Sequence, residues 1–227
     1  MFKNHAYLLS LTIWVSSGVP ILAGDFFADP VLVGPAIELG DWTSTSPQLN
    51  NDDPVGHANP NEIGWPGLSV TALDPPVDLL IRAENSGGTT EFRVDIGHGI
   101  NETGVAVDEF HIELGVGSGA SFQRLSVSPI PGVHGLDFDF PNPDPMVTSP
   151  TLPLVNHEAD RIVFHGGVIE DGASMLVEGL SIDLPDTTIG SEYAFTVRLR
   201  GFAAVPEPNH GVLVLGTAIG LAIFRRR

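Results

Sequence analysis

Between residues 68 and 202 apolar and polar positions alternate with a period of two, the pattern of strands with one buried face. Leu68-Ser69-Val70-Thr71-Ala72-Leu73 opens the series, and Asp74-Pro75-Pro76 turns the chain. Val77, Leu79 and Ile81 then share one face, and Asn85-Ser86-Gly87-Gly88 reads as a hairpin loop. Phe92, Val94 and Ile96 point one way in the next strand, with Glu91, Arg93 and Asp95 pointing the other. A loop over 97–104 leads to Phe110, Ile112 and Leu114, which alternate with His111 and Glu113. Gly115-Val116-Gly117-Ser118-Gly119 is a turn into a strand over 122–127 that faces Leu125 and Val127 inward. Further strands are expected over 161–165, 174–184 and 192–202. In the last, Tyr193, Phe195, Val197 and Leu199 alternate with Thr196, Arg198 and Arg200. No helical period is convincing between 25 and 205.

Two stretches break this pattern. Residues 25–67 carry the turn signals Asn50-Asn51-Asp52-Asp53-Pro54 and Asn59-Pro60-Asn61. They read as irregular, apart from one short strand at Pro30-Val31-Leu32-Val33, with Trp42 and Trp65 packing on the edge of the body. Residues 128–153 carry Pro141, Pro143 and Pro145 at every other position. Proline donates nothing to a sheet ladder, so this stretch is expected to be a long surface connection. Eight or so short strands without helices predict an all-β fold, an antiparallel β-sandwich of jelly-roll or immunoglobulin-like type.

The two ends read differently from the body. Lys3 and His5 precede an apolar run over 6–15, Gly18 and Pro20 break it, and small residues follow at Ala23 and Gly24. Residues 1–24 are therefore expected to be a secretory signal peptide. At the other end Pro206-Glu207-Pro208 precedes an apolar run from Gly211 to Phe224, followed by Arg225, Arg226 and Arg227. As a helix that run of about 14 residues spans roughly 21 Å, short of a ~30 Å hydrocarbon core. The three arginines would stay on the cytoplasmic side and set its orientation.

In its order of parts this tail resembles the PEP-CTERM sorting signal of exported bacterial proteins. The resemblance implies export through the Sec translocon and a transmembrane intermediate held by the tail helix. It also implies processing near Pro206-Glu207-Pro208 by an exosortase, a membrane-embedded cysteine protease. Asn101-Glu102-Thr103-Gly104 with the following 108–115 segment, and Tyr193-Ala194-Phe195-Thr196-Val197-Arg198-Leu199-Arg200, are similar to stretches in other proteins of this kind, whose bodies are thought to be sandwich-like. The chain thus divides into a signal peptide (1–24), a β-sandwich body with long Pro-rich loops (25–205) and a sorting signal (206–227). The expected destination, after an inner-membrane intermediate, is the cell surface or the extracellular polysaccharide matrix of a biofilm.

Charge narrows what the body can do. Over 25–205 six arginines stand against 27 aspartates and glutamates, a net of −21 with no lysine at all. Nucleic acid is excluded as a partner, because phosphate binding needs clustered basic residues. Such acidity attracts cations and repels anionic polymers unless divalent ions bridge them. The absence of cysteine excludes disulfides, thiolate metal sites and cysteine nucleophiles.

Candidate chemistry is sparse. Calcium takes six to eight oxygen ligands, and Asp137 and Asp139 share a face if their segment is extended, with Asp144 nearby. Asp52 and Asp53 form a second pair. Neither has the alternating ligands and glycine of an EF-hand loop, and a solvated acidic edge is the alternative. A glycosidase needs two carboxylates at a set spacing, and with 27 acids in the body nothing singles out one pair. His57, His98, His111, His134, His157 and His165 form no H-E-x-x-H motif. The Gly115–Gly119 segment lacks the lysine and helix of a phosphate loop and is not a G-x-S-x-G elbow. Asn101-Glu102-Thr103 fits a glycosylation sequon, a three-residue match that arises by chance. The expectation is a non-catalytic, structural or adhesive body without an obligatory cofactor. A secreted carbohydrate-binding module or glycoside-acting enzyme on the same fold is the alternative.

Overall fold

The computed structural model describes residues 30–45, 61–65, 67–85, 87–96, 99–141 and 146–205. In chain order the strands are β1 (Val31–Val33), β2 (Ala36–Glu38), β3 (Thr43–Thr45), β4 (Glu62–Trp65) and β5 (Leu68–Val70). β6 (Val77–Glu84), β7 (Thr90–Ile96), β8 (Gly99–Asn101), β9 (Val107–Val116) and β10 (Gln123–Arg124) follow. The last five are β11 (Leu154–Glu158), β12 (Arg161–Ile169), β13 (Ser174–Met175), β14 (Leu180–Leu184) and β15 (Glu192–Ala203). A single 3₁₀ turn, Gly119–Ser121, interrupts an otherwise all-β arrangement among the described residues.

The largest sheet has seven strands, in the order β1-β6-β15-β9-β12-β11 with β10 added beside β9. Two four-stranded sheets run β13-β8-β5-β2 and β14-β7-β4-β3. These two are halves of one layer. β2 is followed by β3, β4 by β5, β7 by β8 and β13 by β14, so the same four chain segments supply both sheets in the same order.

The expectation of purely antiparallel pairing is corrected in this smaller layer. β4 pairs β7 and β5 pairs β8 in parallel. Connectivity explains it: the chain leaves β5, runs through the large sheet as β6, and returns as β7. Two reversals of direction restore the original one. Parallel neighbours need such a crossover connection, here supplied by a strand of the other layer.

The alternation read in the sequence sets the core. Val77, Leu79 and Ile81 of β6, Ile112 and Leu114 of β9, and Phe195, Val197 and Leu199 of β15 all face inward. Phe92, Val94, Leu180 and Ile182 meet them from the smaller layer, in one continuous apolar cluster. A fully buried side chain of this size contributes about 1.5–3 kcal/mol. Without disulfides, this cluster carries the stability of the body.

Elsewhere local signals mislead. The stretch 25–67 contains β2, β3 and β4 besides β1, and Trp65 is a core residue with Trp42 packed 5.6 Å from its ring centre. β8 lies inside the expected 97–104 loop. The expected strand over 122–127 shrinks to β10, and Val127 is exposed. The Pro-rich connection is no mere surface loop: Val133, Leu136, Phe138, Val147 and Leu152 are buried in the core. Isolated bridges pair Val133 with Thr187, Asp137 with Asp183 and Thr148 with Glu178, on the side of β14 away from β7.

Candidate functional site

The outer face of the seven-stranded sheet carries the densest polar arrangement among the described residues. Register builds it. Asp78 of β6 lies opposite Arg198 of β15, Arg198 opposite Glu113 of β9, Glu113 opposite Arg161 of β12, and Arg161 opposite Glu158 of β11. Charge therefore alternates in one row across five strands, the cross-strand arrangement that favours opposite signs.

At one end of this row Arg198 donates from Nε and Nη2 to the two carboxylate oxygens of Asp78, at 2.7 and 2.9 Å. Its Nη2 also donates to Gly119 O at 2.7 Å, and the Gly119 N–H donates to Asp78 Oδ2 at 2.6 Å. The guanidinium carbon sits 3.9 Å from the centre of the Phe122 ring. Thr196 adds a hydroxyl bond to Gly117 O, at 2.7 Å. Together these clamp the 117–124 turn onto the sheet. Gly115 makes room for it, since a Cβ there would collide with Phe122 and with Gln123 O.

The other end has a second clamp. Arg124 donates to Glu158 at 2.9 Å and to Asp160, Arg161 donates to Glu158 at 2.5 Å, and the Ser126 N–H donates to Asp160 at 2.8 Å. The bonds from Arg161 and then Arg124 hold the Glu158 carboxyl below the usual carboxylate range. Burial pushes Asp160 up, but the bonds from Arg124 and Ser126 outweigh it, and its carboxyl also lies below that range. The turn thus covers one half of the face and is pinned at both sides.

The other half is not covered by the turn: Arg200 and Asn156 are exposed at its margins, while His111 and Val163 between them are largely buried. Two further rows cross it, Arg200–His111–Val163–Asn156 and Phe202–Glu109–His165–Leu154, on β15, β9, β12 and β11 in turn. The guanidinium carbon of Arg200 lies 4.7 Å from the Phe202 ring centre, and His111 packs against the same ring at 4.6 Å. His111 donates from Nε2 to Glu109 Oε1 at 2.7 Å, and Asn156 donates from Nδ2 to His165 Nε2 at 3.3 Å.

No family model, curated protein or solved structure matches this chain.

Most residues singled out in the sequence lie elsewhere or apart. Pro206, Glu207, Pro208, Arg225, Arg226 and Arg227 are outside the described residues, as are Asp144, Asp52 and Asp53. Asp137 and Asp139 do not share an extended segment, because Asp139 takes a left-handed backbone (φ 46°) and turns the chain. Asp137 Oδ1 accepts the Phe140 N–H at 3.0 Å. Pairing brings Asp137 beside Asp183, which stands opposite Glu91, a residue of the polar phase of β7 that is nevertheless buried. Among the described residues no three His, Asp or Glu side chains converge to hold a metal ion.

Other motifs have structural tasks. Asn101 of the sequon is buried, and its Nδ2 donates to Val105 O at 2.8 Å and Ile169 O at 3.0 Å. Its Oδ1 accepts the Thr103 hydroxyl at 2.7 Å, so the N-E-T-G stretch is a locked turn and not a modification site. His157 donates to Phe138 O at 2.6 Å, tying β11 to the Pro-rich connection. Between the large sheet and the β13-β8-β5-β2 sheet, an apolar cavity of about 60 Å³ is walled by Leu68, Ile100, Val107, Phe110, Met175 and Leu199.

Proposed function

We propose that this chain is an exported bacterial protein sorted by an exosortase-type enzyme to the cell surface or the extracellular polysaccharide matrix. Its body is a non-catalytic β-sandwich with a structural or adhesive task. The tail carries the reading: Pro-Glu-Pro, apolar run and basic end follow in order within a few residues of Ala203, where β15 ends. The one core shared by both layers supports the sandwich, with parallel pairs that set it apart from a plain antiparallel jelly roll or immunoglobulin fold. The polar groups of the outer face support the non-catalytic reading, since Asp78, Arg198, Arg124 and Asp160 are spent on fastening the 117–124 turn.

In this reading the Sec translocon exports the chain, the apolar run anchors it with Arg225–Arg227 inside, and the processing enzyme reads Glu207 between its two prolines. Deletion of 206–227 is expected to release the body into the medium unprocessed. Glu207→Ala is expected to leave an unprocessed membrane-bound form, followed by immunoblotting of cell fractions from the native producer. An unchanged distribution of the deletion variant overturns the proposal.

A further inference from the structure

The open half of the outer face has features that a merely solvated sheet surface does not need. Arg200 is exposed, yet in a body with 27 acids it makes no ion pair among the described residues. Its guanidinium is instead held by Phe202, Phe202 by His111, and His111 by Glu109. Asn156, exposed on the edge strand, is held by His165. Side chains fixed before binding lose little freedom when a ligand arrives.

The chemistry of this surface selects among ligands. Arg200 offers donors only, the Glu109 carboxylate accepts only, and the Asn156 amide does both. The two rows carry one arginine, Arg200, and one carboxylate, Glu109, so the local charges offset each other. An anionic polymer would meet a body of net charge −21 without a local excess of positive charge to offset it. An apolar partner would strip water from these groups and leave them unbonded, at about 1–3 kcal/mol each. A neutral saccharide fits better: each hydroxyl donates and accepts, and its ring faces suit the planar Arg200–Phe202 stack. Four strands give the rows a width of about 14 Å, enough for an extended ligand lying across them.

We propose that the open half of the outer face, centred on Arg200, Glu109 and Asn156, binds a neutral saccharide chain laid across β15, β9, β12 and β11. This rests on the adhesive reading of the body and names its partner class. Arg200 and Asn156 donate to ring hydroxyls, Glu109 accepts from one, and the covered half of the face takes no part.

The test is calorimetric titration of the full chain, solubilised in detergent, with neutral hexasaccharides of glucose, galactose, mannose and N-acetylglucosamine. Hexagalacturonate serves as the anionic counterpart. At least one neutral hexasaccharide is expected to bind. Arg200→Ala and Asn156→Ala should each weaken it about tenfold or more, as truncation of a central contact does. Arg82→Ala, a change at another exposed arginine, should leave affinity intact, and all three variants should melt like the parent chain. The proposal is overturned if no neutral hexasaccharide binds, if only hexagalacturonate binds, or if Arg200→Ala keeps full affinity. The sorting reading stands or falls separately, on the cellular location of the Glu207 and tail-deletion variants.

Discussion

Arg198 shows how one residue decides a local structure. Its side chain is 11% exposed and that of Asp78 1%, so the pair is largely withdrawn from water. Such a pair adds little over a well-packed apolar substitute, but removing one partner strands the other charge. Arg198→Ala takes both guanidinium donors from the Asp78 carboxylate, leaves it the Gly119 N–H, and removes the ring contact on Phe122. The expected loss is about 3–5 kcal/mol in urea unfolding. Arg198→Lys should recover only part of it, since a point charge cannot reproduce the two-pronged bond. A loss below about 1 kcal/mol would put the pair in the class of exposed, screened ion pairs.

At the level of elements, the connection over 128–153 departs most from what its local sequence signals. Its prolines rule out a continuous strand, and none forms among its described residues. Yet residues between prolines still pair singly, and Thr148 exchanges backbone bonds of 2.9 Å with Glu178 in both directions. The segment thereby covers part of a sheet edge that would otherwise present unpaired groups. Thr148→Pro removes the Thr148 donor and is expected to cost about 1–3 kcal/mol. It should also promote association on warming, seen as light scattering before the main melt. Thr148→Ala, which keeps the N–H, should do neither.

The contrast with β6, β9 and β15 is instructive. Their inward faces were legible because eight to twelve residues of alternation leave one consistent reading. β2, β3 and β8 have three residues each, too short for a period to emerge among turn-forming neighbours. The outer-face rows were only half legible. Arg198 and Arg200 stood out on the polar phase of the last strand, but Asp78 lies 120 positions earlier. Only the register of β15 on β6 brings them together, and register is not a local property of either strand.

For the whole molecule the dominant quantity is charge. A net of −21 spread over the 25–205 body opposes compaction through self-repulsion, and the chain has no lysine there to relieve it. Raising ionic strength shortens the screening length from ~10 Å at 0.1 M to ~3 Å at 1 M. Added sodium chloride should therefore raise the melting temperature, by about 2–4 °C for each kcal/mol of repulsion removed at this chain length. The same experiment weighs screening against specific calcium binding at Asp137 and Asp139. Asp137 already accepts the Phe140 N–H, and the left-handed backbone at Asp139 ends the shared extended face, so screening alone is the expectation. Calcium and sodium chlorides at matched ionic strength should then raise the melt equally. An excess shift with calcium, reversed by chelator and lost in Asp137→Asn, would instead establish a site built on that turn.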